Sequence, residues 1–311
     1  MSSLRATVIL PTTGDRGALL ELSVPTVLNQ SVRELELFIA GDGVSDAARA
    51  TIRHLMAADP RIRFFDHPKD TRRGELRRHA MLQEARGRIV GYLCDRDLML
   101  PHHVETLERL LTTADFAHTL RFGITPEGGT QFLHTLDVSD PQDRARLNEV
   151  DLLIPLSFAG HTLDMYRRLP HGWRATPPGV PTDRYMWEQF LEHPNCRAAV
   201  SFEPTVLYFK RGDHPGWPVA RRADRQRPRA AAPWAPHPQR APPRGAADPG
   251  APLPPRGPCP PQSRTPRALA RAPGPRAAHG KRRFGRPPAP GRELGRRAVR
   301  SRPARGGLRR G

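Results

Sequence analysis

A break in composition near Arg211 limits what this 311-residue chain can fold into. Residues 211 to 311 carry 25 Lys and Arg against four acids (Asp213, Asp224, Asp248 and Glu293), a net charge of +21. The same stretch holds 22 of the 36 prolines and contains no Ile, Met, Asn or Tyr. So few large apolar side chains cannot bury enough surface to offset the entropy lost on ordering. Residues 213–311 are therefore expected to be disordered. Residues 1–210 carry 25 bases against 27 acids, a net of −2, and show regular apolar runs. That length suits one α/β domain with a sizeable core.

Within this first part, strand-like and helix-like segments alternate. Strands are expected at residues 6–10, ending at Pro11, and at 35–40, 61–65 and 88–94. Helices are expected at 18–30, where Pro25 would kink or shorten the run, and at 45–58 with Ser45 as N-cap. Further helices fall at 74–85 and from Pro101 to about residue 111. Such alternation argues for a parallel sheet covered on both faces. After a strand over 116–122 the pattern weakens. Gly128-Gly129 suits a hairpin turn with a return strand at 131–136. Residues 140–151 read as a loop or short helix, 161–168 and 182–192 as helices with Thr182 as cap, and 205–210 as a last strand.

Ligands of open parallel sheets bind in the crevice beyond the carboxyl ends of the strands. Three polar motifs fall at such ends: Pro11-Thr12-Thr13, Gly41-Asp42-Gly43 and Asp95-Arg96-Asp97. Two carboxylates one residue apart, after the apolar run Ile89-Val90-Gly91-Tyr92-Leu93-Cys94, suit a hard divalent cation such as Mg²⁺ or Mn²⁺. An isolated Asp-X-Asp is equally at home in a solvated turn; its place on one edge with the other two motifs is what raises it above that reading.

The order and spacing of six blocks resemble the family-2 glycosyltransferases of the GT-A fold, over residues 6–209. The blocks are Val8-Ile9-Leu10-Pro11-Thr12, Ser23-Val24 through Leu28-Asn29-Gln30-Ser31, and Glu36-Leu37-Phe38-Ile39 leading to Gly41-Asp42-Gly43-Val44-Ser45-Asp46. They continue with Asp59-Pro60-Arg61-Ile62, Arg78-His79-Ala80 through Ala85-Arg86-Gly87, and Tyr92-Leu93-Cys94-Asp95-Arg96-Asp97 leading to Pro101-His102-His103. The chain departs from the pattern in three places. Gly41-Asp42-Gly43-Val44 stands where Asp-Asp-Gly-Ser is usual, Arg78-His79 replaces Arg-Asn, and Gly14-Asp15-Arg16 places its basic residue one position late.

The resemblance implies a GT-A, Rossmann-like sheet with helices on both faces. Residues 1–115 would be a nucleotide-sugar-binding half and 116–212 an acceptor-side half. It implies metal-dependent, inverting transfer of a sugar from a nucleotide-diphosphate donor to a glycan or other acceptor hydroxyl, in surface or cell-wall glycan synthesis. Asp97, with Asp95 directly or through water, would hold Mn²⁺ or Mg²⁺ against the leaving diphosphate, and His161 would complete the shell or meet the acceptor. Pro11, Thr12 and Asp42 would face the nucleoside, Asp95 would share that duty, and Arg78 would contact the phosphates. Asp183, near the start of a helix, would take the acceptor's proton. Each has a plainer alternative: a turn aspartate at Asp42, a solvated Arg78, a helix-start carboxylate at Asp183, a structural His161. For Trp173 and Trp187 packing outweighs a sugar platform, and Cys94 reads as a small core residue.

Cys94, Cys196 and Cys259 share no close spacing, which argues against a disulfide framework and for a reducing cytosol. The first residues lack a signal-peptide pattern, and no run approaches 18 apolar residues. A cytoplasmic location is expected, with peripheral attachment at the inner membrane face left open. The basic tail carries one lysine and few aromatics, so nucleic acid is not the expected partner. Its Ala, Arg, Gly and Pro all have GC-rich codons, and the change falls just after Trp217-Pro218-Val219-Ala220. A shifted reading frame would produce such a tail, and transferase-like sequence should then continue in another frame of the gene. The competing class is an inactive or truncated sugar-nucleotide-binding protein whose tail docks on nucleic acid or acidic surfaces.

Overall fold

Two strands, β1 (Ala6–Gly14) and β2 (Leu35–Val44), lie in parallel register from Ala6 against Leu35 to Thr13 against Asp42. Successive strand residues point to opposite faces. Here Val8, Leu10, Leu37 and Ile39 enter one core while Ile9, Phe38 and Ala40 enter the other. A strand apolar on both faces needs cover on both, which is what the helices supply. In this computed structural model the described residues are 4–146, 154–210 and 212–231.

The remaining sheet strands are β3 (Ile62–His67), β4 (Ile89–Tyr92), β6 (Phe116–Leu120), β9 (Ala159–Thr162) and β10 (Ala198–Pro204), in spatial order β10-β6-β9-β4-β1-β2-β3. All are parallel to β1 except β9, which runs antiparallel between β4 and β6. Two small antiparallel pairs complete the strands: β5 (Leu98–Met99) with β11 (Val206–Leu207), and β7 (Phe122–Ile124) with β8 (Thr130–Phe132). Helices α1 (Gly17–Leu28), α2 (Asp46–Ala58) and α4 (His103–Leu110) pack on one face through Leu20, Val24, Ile52 and Leu107. On the other face lie α3 (Glu75–Gln83), α6 (Leu163–Arg168) and α7 (Thr182–Leu191), through Leu82, Tyr166, Trp187 and Phe190. Each fully buried large side chain of this kind contributes about 1.5–3 kcal/mol. The architecture is the expected mixed α/β fold dominated by parallel strands.

The local signals behave as anticipated at several ends. Ser45 caps α2, its hydroxyl accepting from the Ala48 amide at 3.1 Å. Pro25 stays inside α1 near its end, removing one donor there. Gly128 sits at a positive φ in the β7–β8 turn. A short helix, α5 (Pro141–Ala145), occupies part of the expected loop, and the rest of 140–151 lies outside the described residues.

Other expectations fail. β1 and β2 run past Pro11 and Gly41, so Pro11-Thr12-Thr13 and Gly41-Asp42-Gly43 are the last rungs of strands rather than turns after them. Pro11 is tolerated because β4 pairs β1 only as far as Ile9, so its missing N–H faces no partner strand. His161 belongs to β9, not to a helix; α6 starts after Thr162, whose hydroxyl accepts from the Met165 amide. At α7 the cap position is Pro181, and Thr182 is the first helical residue. β10 was not anticipated at all.

The segment expected to be disordered from 213 begins with order. Residues 219–230 form α8 (Val219–Ala230), which rests on α1 with Ala223 and Gln226 buried. Docking through a few small and polar contacts needs no large apolar stripe, which is why composition missed it. The expectation for 232–311 lies outside the described residues. No described helix is long and apolar enough to cross a membrane.

Candidate active site

Because β1, β2 and β4 are parallel, their carboxyl ends converge on one edge, and that edge carries the polar motifs. Asp42, 8% exposed, accepts from the Asp70 amide at 2.6 Å and pairs with the Lys69 ammonium. Gly43 makes this approach possible: a Cβ there would stand 2.6 Å from Lys69 Cβ, and its φ of +64° suits glycine. The Thr13 hydroxyl donates to the Asp42 carbonyl at 2.6 Å, tying the ends of β1 and β2 together.

Beyond β4, Asp95 and Asp97 turn to different partners. The Thr12 hydroxyl donates to Asp95 Oδ2 at 2.9 Å, and Arg16 Nη1 donates to both Asp95 oxygens at 3.0 and 2.9 Å. The Ser157 hydroxyl donates to Asp97 Oδ2 at 2.5 Å, and the Phe209 amide to Oδ1 at 3.0 Å. Burial pushes the Asp97 carboxyl up to about 6, against the pull of Arg96 and of those two donors.

Ser157 lies in a 3₁₀ turn, Leu156–Phe158, that leads into β9. The preceding residue of that turn, Leu156, donates its amide to Asp183 Oδ2 at 3.1 Å. Adjacent residues of one turn thus hold Asp97 and Asp183. Both carboxylates also act on the Cys94 thiol, which burial pushes up to about 11. Asp183 is raised by burial, while the charges of Arg78, Arg73 and Arg96 oppose the rise.

Arg78, on α3, is 4% exposed and stacks over Trp173, with its guanidinium carbon 4.6 Å from the ring centre. One of its nitrogens donates to the Arg73 carbonyl at 3.3 Å; Nε and Nη1 have no partner. Trp173 is itself fixed: its indole N–H donates to the Tyr92 hydroxyl at 3.0 Å, and Tyr92 meets His161 Nε2 at 2.7 Å. Trp173 and Trp187 are both core residues, each 2% exposed, in line with the packing reading.

His161 departs from expectation. It pairs with Val90 and Phe116 in mid-sheet, is fully buried, and has its other ring nitrogen 3.0 Å from the Thr162 carbonyl. Burial lowers it to about 4, which keeps the imidazole neutral. It stands several residues down β9 from the edge and is not gathered with Asp95 and Asp97. The side chain found beside Asp97 is instead Ser157, from a stretch with no sequence signal. Arg16 was visible only as a displaced basic residue, and Lys69 and the Phe209 amide not at all.

Whether this edge fits a divalent cation follows from the same contacts. Asp95 is 1% exposed and Asp97 0%, and all four carboxylate oxygens already accept hydrogen bonds from the protein. Among the described residues no group of three or more His, Cys, Asp and Glu side chains could hold a metal. As arranged, the pair does not fit an ion. A cavity of about 590 Å³ lies elsewhere, between α1 and α8, and neither aspartate lines it.

Known proteins give the fold and the lineage. A *Campylobacter jejuni* GalNAc(5)-diNAcBac-PP-undecaprenol beta-1,3-glucosyltransferase is 29% identical over 103 residues, 33% of each chain. The *Staphylococcus aureus* TarS 1–349 structure with UDP-GlcNAc is similar at a TM-score of 0.50 and 15% identity, covering 68% of this chain and 60% of that one. The *Pyrobaculum calidifontis* mannosyltransferase PcManGT, solved with GDP-Man and Mn²⁺, is similar at 0.48 and 16% identity over 70% and 59%. This chain therefore spans about a third of the curated relative and under two thirds of the solved ones. The profile of glycosyl transferase family 2 matches residues 7–171, more than half of the sequence. By that match the chain belongs to glycosyl transferase family 2.

Proposed function

We propose that this glycosyltransferase moves a sugar from a nucleoside-diphosphate donor to an acceptor hydroxyl, with inversion. The observation that carries the reading is Arg78: a cation buried beneath the sheet edge, stacked on Trp173, with two N–H groups that find no acceptor. Leaving such groups unmet costs about 1–3 kcal/mol or more for a charged donor, and a diphosphate oxygen would meet them. Pro11, Thr12 and Asp42 would face the nucleoside. Asp183, half-buried and hydrogen-bonded through one oxygen, would take the acceptor hydroxyl's proton as the sugar carbon changes partner. One carboxylate base with no covalent sugar intermediate inverts the anomeric centre.

A glycan of bacterial surfaces or cell walls is the acceptor class we propose, in keeping with the undecaprenol-linked substrate named for the *C. jejuni* relative. Isothermal titration with UDP, GDP and their sugar conjugates tests the reading. Binding of one nucleoside diphosphate is expected, and Arg78→Ala should weaken it about tenfold or more, the worth of a charge-assisted hydrogen bond. A chain that binds none of them, or binds equally well without Arg78, is not a nucleotide-sugar transferase of this design.

A further inference from the structure

We propose that Arg16 is the resident counter-cation of Asp95 and stands where a divalent ion would otherwise sit, so that donor binding by this chain does not require a metal. The inference rests on the donor site proposed above. The Arg16 side chain is 26% exposed and the Asp95 side chain 1%, so the guanidinium forms the solvent side of the pair and caps the carboxylate beneath it. A single nitrogen, Nη1, spans both carboxylate oxygens, with Thr12 closing the remaining approach to Oδ2.

The second aspartate is no more available. Its two oxygens take the Ser157 hydroxyl and the Phe209 amide, and the neighbouring Arg96 guanidinium, itself donating to the Phe209 carbonyl at 3.0 Å, acts on the same carboxylate. Two carboxylates therefore face two arginines, and the motif is electrically complete without an added ion. A divalent cation arriving from solvent would meet the Arg16 guanidinium first, and like charges at that distance repel. A diphosphate arriving from the same side would meet Arg16 and Arg78 as its positive partners.

The gap between Pro11-Thr12 and the helix provides the reach. Gly14 ends β1, Asp15 follows it, and Arg16 sits at the N-cap position of α1, from which the side chain extends to Asp95.

Mn²⁺ alone is the probe, followed by electron paramagnetic resonance and by calorimetry on the full chain, for wild type, Arg16→Ala and Arg16→Lys. We expect no binding by wild type or Arg16→Lys, and at least tenfold tighter binding by Arg16→Ala. UDP affinity should be unchanged by EDTA in wild type and should become Mn²⁺-dependent in Arg16→Ala. Equal Mn²⁺ binding by wild type and Arg16→Ala overturns the proposal. So does binding by neither, since Arg16 then replaces nothing. Circular dichroism melts establish that the variants are folded. Failure of every form to bind UDP would instead remove the donor-site reading, while the Mn²⁺ titration still decides the role of Arg16.

Discussion

The two sides of the candidate site hold their carboxylates by different means. On the β1–β2 side, Asp42 and Asp95 are met by long cationic side chains, Lys69 and Arg16, which reach in from solvent with side chains 54% and 26% exposed. On the β4–α7 side, Asp97 and Asp183 are met by a short hydroxyl and by backbone amides of residues 156 and 209. A long cation that keeps contact with solvent can move off its partner without unfolding any backbone, and the cost rises with the burial of the carboxylate it leaves, so Lys69 moves more readily than Arg16. A buried donor anchored to the backbone cannot swing away without unfolding its turn. The first side is therefore adjustable, suited to admitting a ligand, and the second is pre-set, suited to chemistry.

The heaviest test of that contrast is Asp183→Asn, an isosteric change that keeps an oxygen for the Leu156 amide. Loss of a positioned base lowers turnover by roughly 10²–10⁴-fold, and donor affinity should stay within a factor of about two because the nucleotide side is untouched. The base works ionised, and burial raises Asp183 above the ordinary aspartate range. The wild-type rate should accordingly fall on acidification through an ionisation above that range, and the residual rate of the variant should lack this limb. An equal pH limb in both would deny Asp183 the role.

Next in size is a matched pair of substitutions, one on each side. Ser157→Ala strips a donor from a buried carboxylate and should destabilise by about 1–3 kcal/mol. Lys69→Ala removes a more exposed partner from Asp42 and should cost no more than about 1 kcal/mol. Urea midpoints of the two variants give the comparison directly. If Lys69→Ala proves the costlier, the division into adjustable and pre-set sides is wrong.

This division also explains what could be read from the amino-acid order. The apolar runs of β1 to β4 alternate with helical segments, so the parallel half of the sheet and the edge bearing Thr12, Asp42, Asp95 and Asp97 were legible from local pattern, whereas Arg78 on α3 was singled out only by the family resemblance. Ser157 was not, because a 3₁₀ turn of Leu-Ser-Phe has no periodicity, and its contact with Asp97 joins residues 60 positions apart. His161 misled for a related reason. A four-residue strand inserted antiparallel between β4 and β6 runs directly into a helix, so the helical signal of Leu163–Arg168 swept over it. β10 hid behind its polar flank, with Ser201, Glu203 and Pro204 breaking the apolar run that marks a strand. Where side chains answer to neighbours in sequence the reading succeeded; where they answer to distant backbone it did not.

The smallest expected effect concerns α8, which borders the pre-set side although it lies in the stretch whose composition predicted disorder. Gln226, 2% exposed, donates its amide to the Arg96 carbonyl at 2.9 Å, the residue between the two aspartates of the motif. Arg225 adds a contact over the Phe209 ring, whose residue supplies the amide held by Asp97. The helix thus backs the same backbone that fixes the second carboxylate. Gln226→Ala should cost about 1 kcal/mol, the net worth of one hydrogen bond, visible as a small drop in the urea midpoint with an unchanged slope. A shifted reading frame after Ala220 would make the helix a late addition to a site formed without it, and the substitution would then leave the midpoint where it was. A measurable loss would mean that α8 is part of the device holding Asp97, and that the pre-set side extends past the point where the composition breaks.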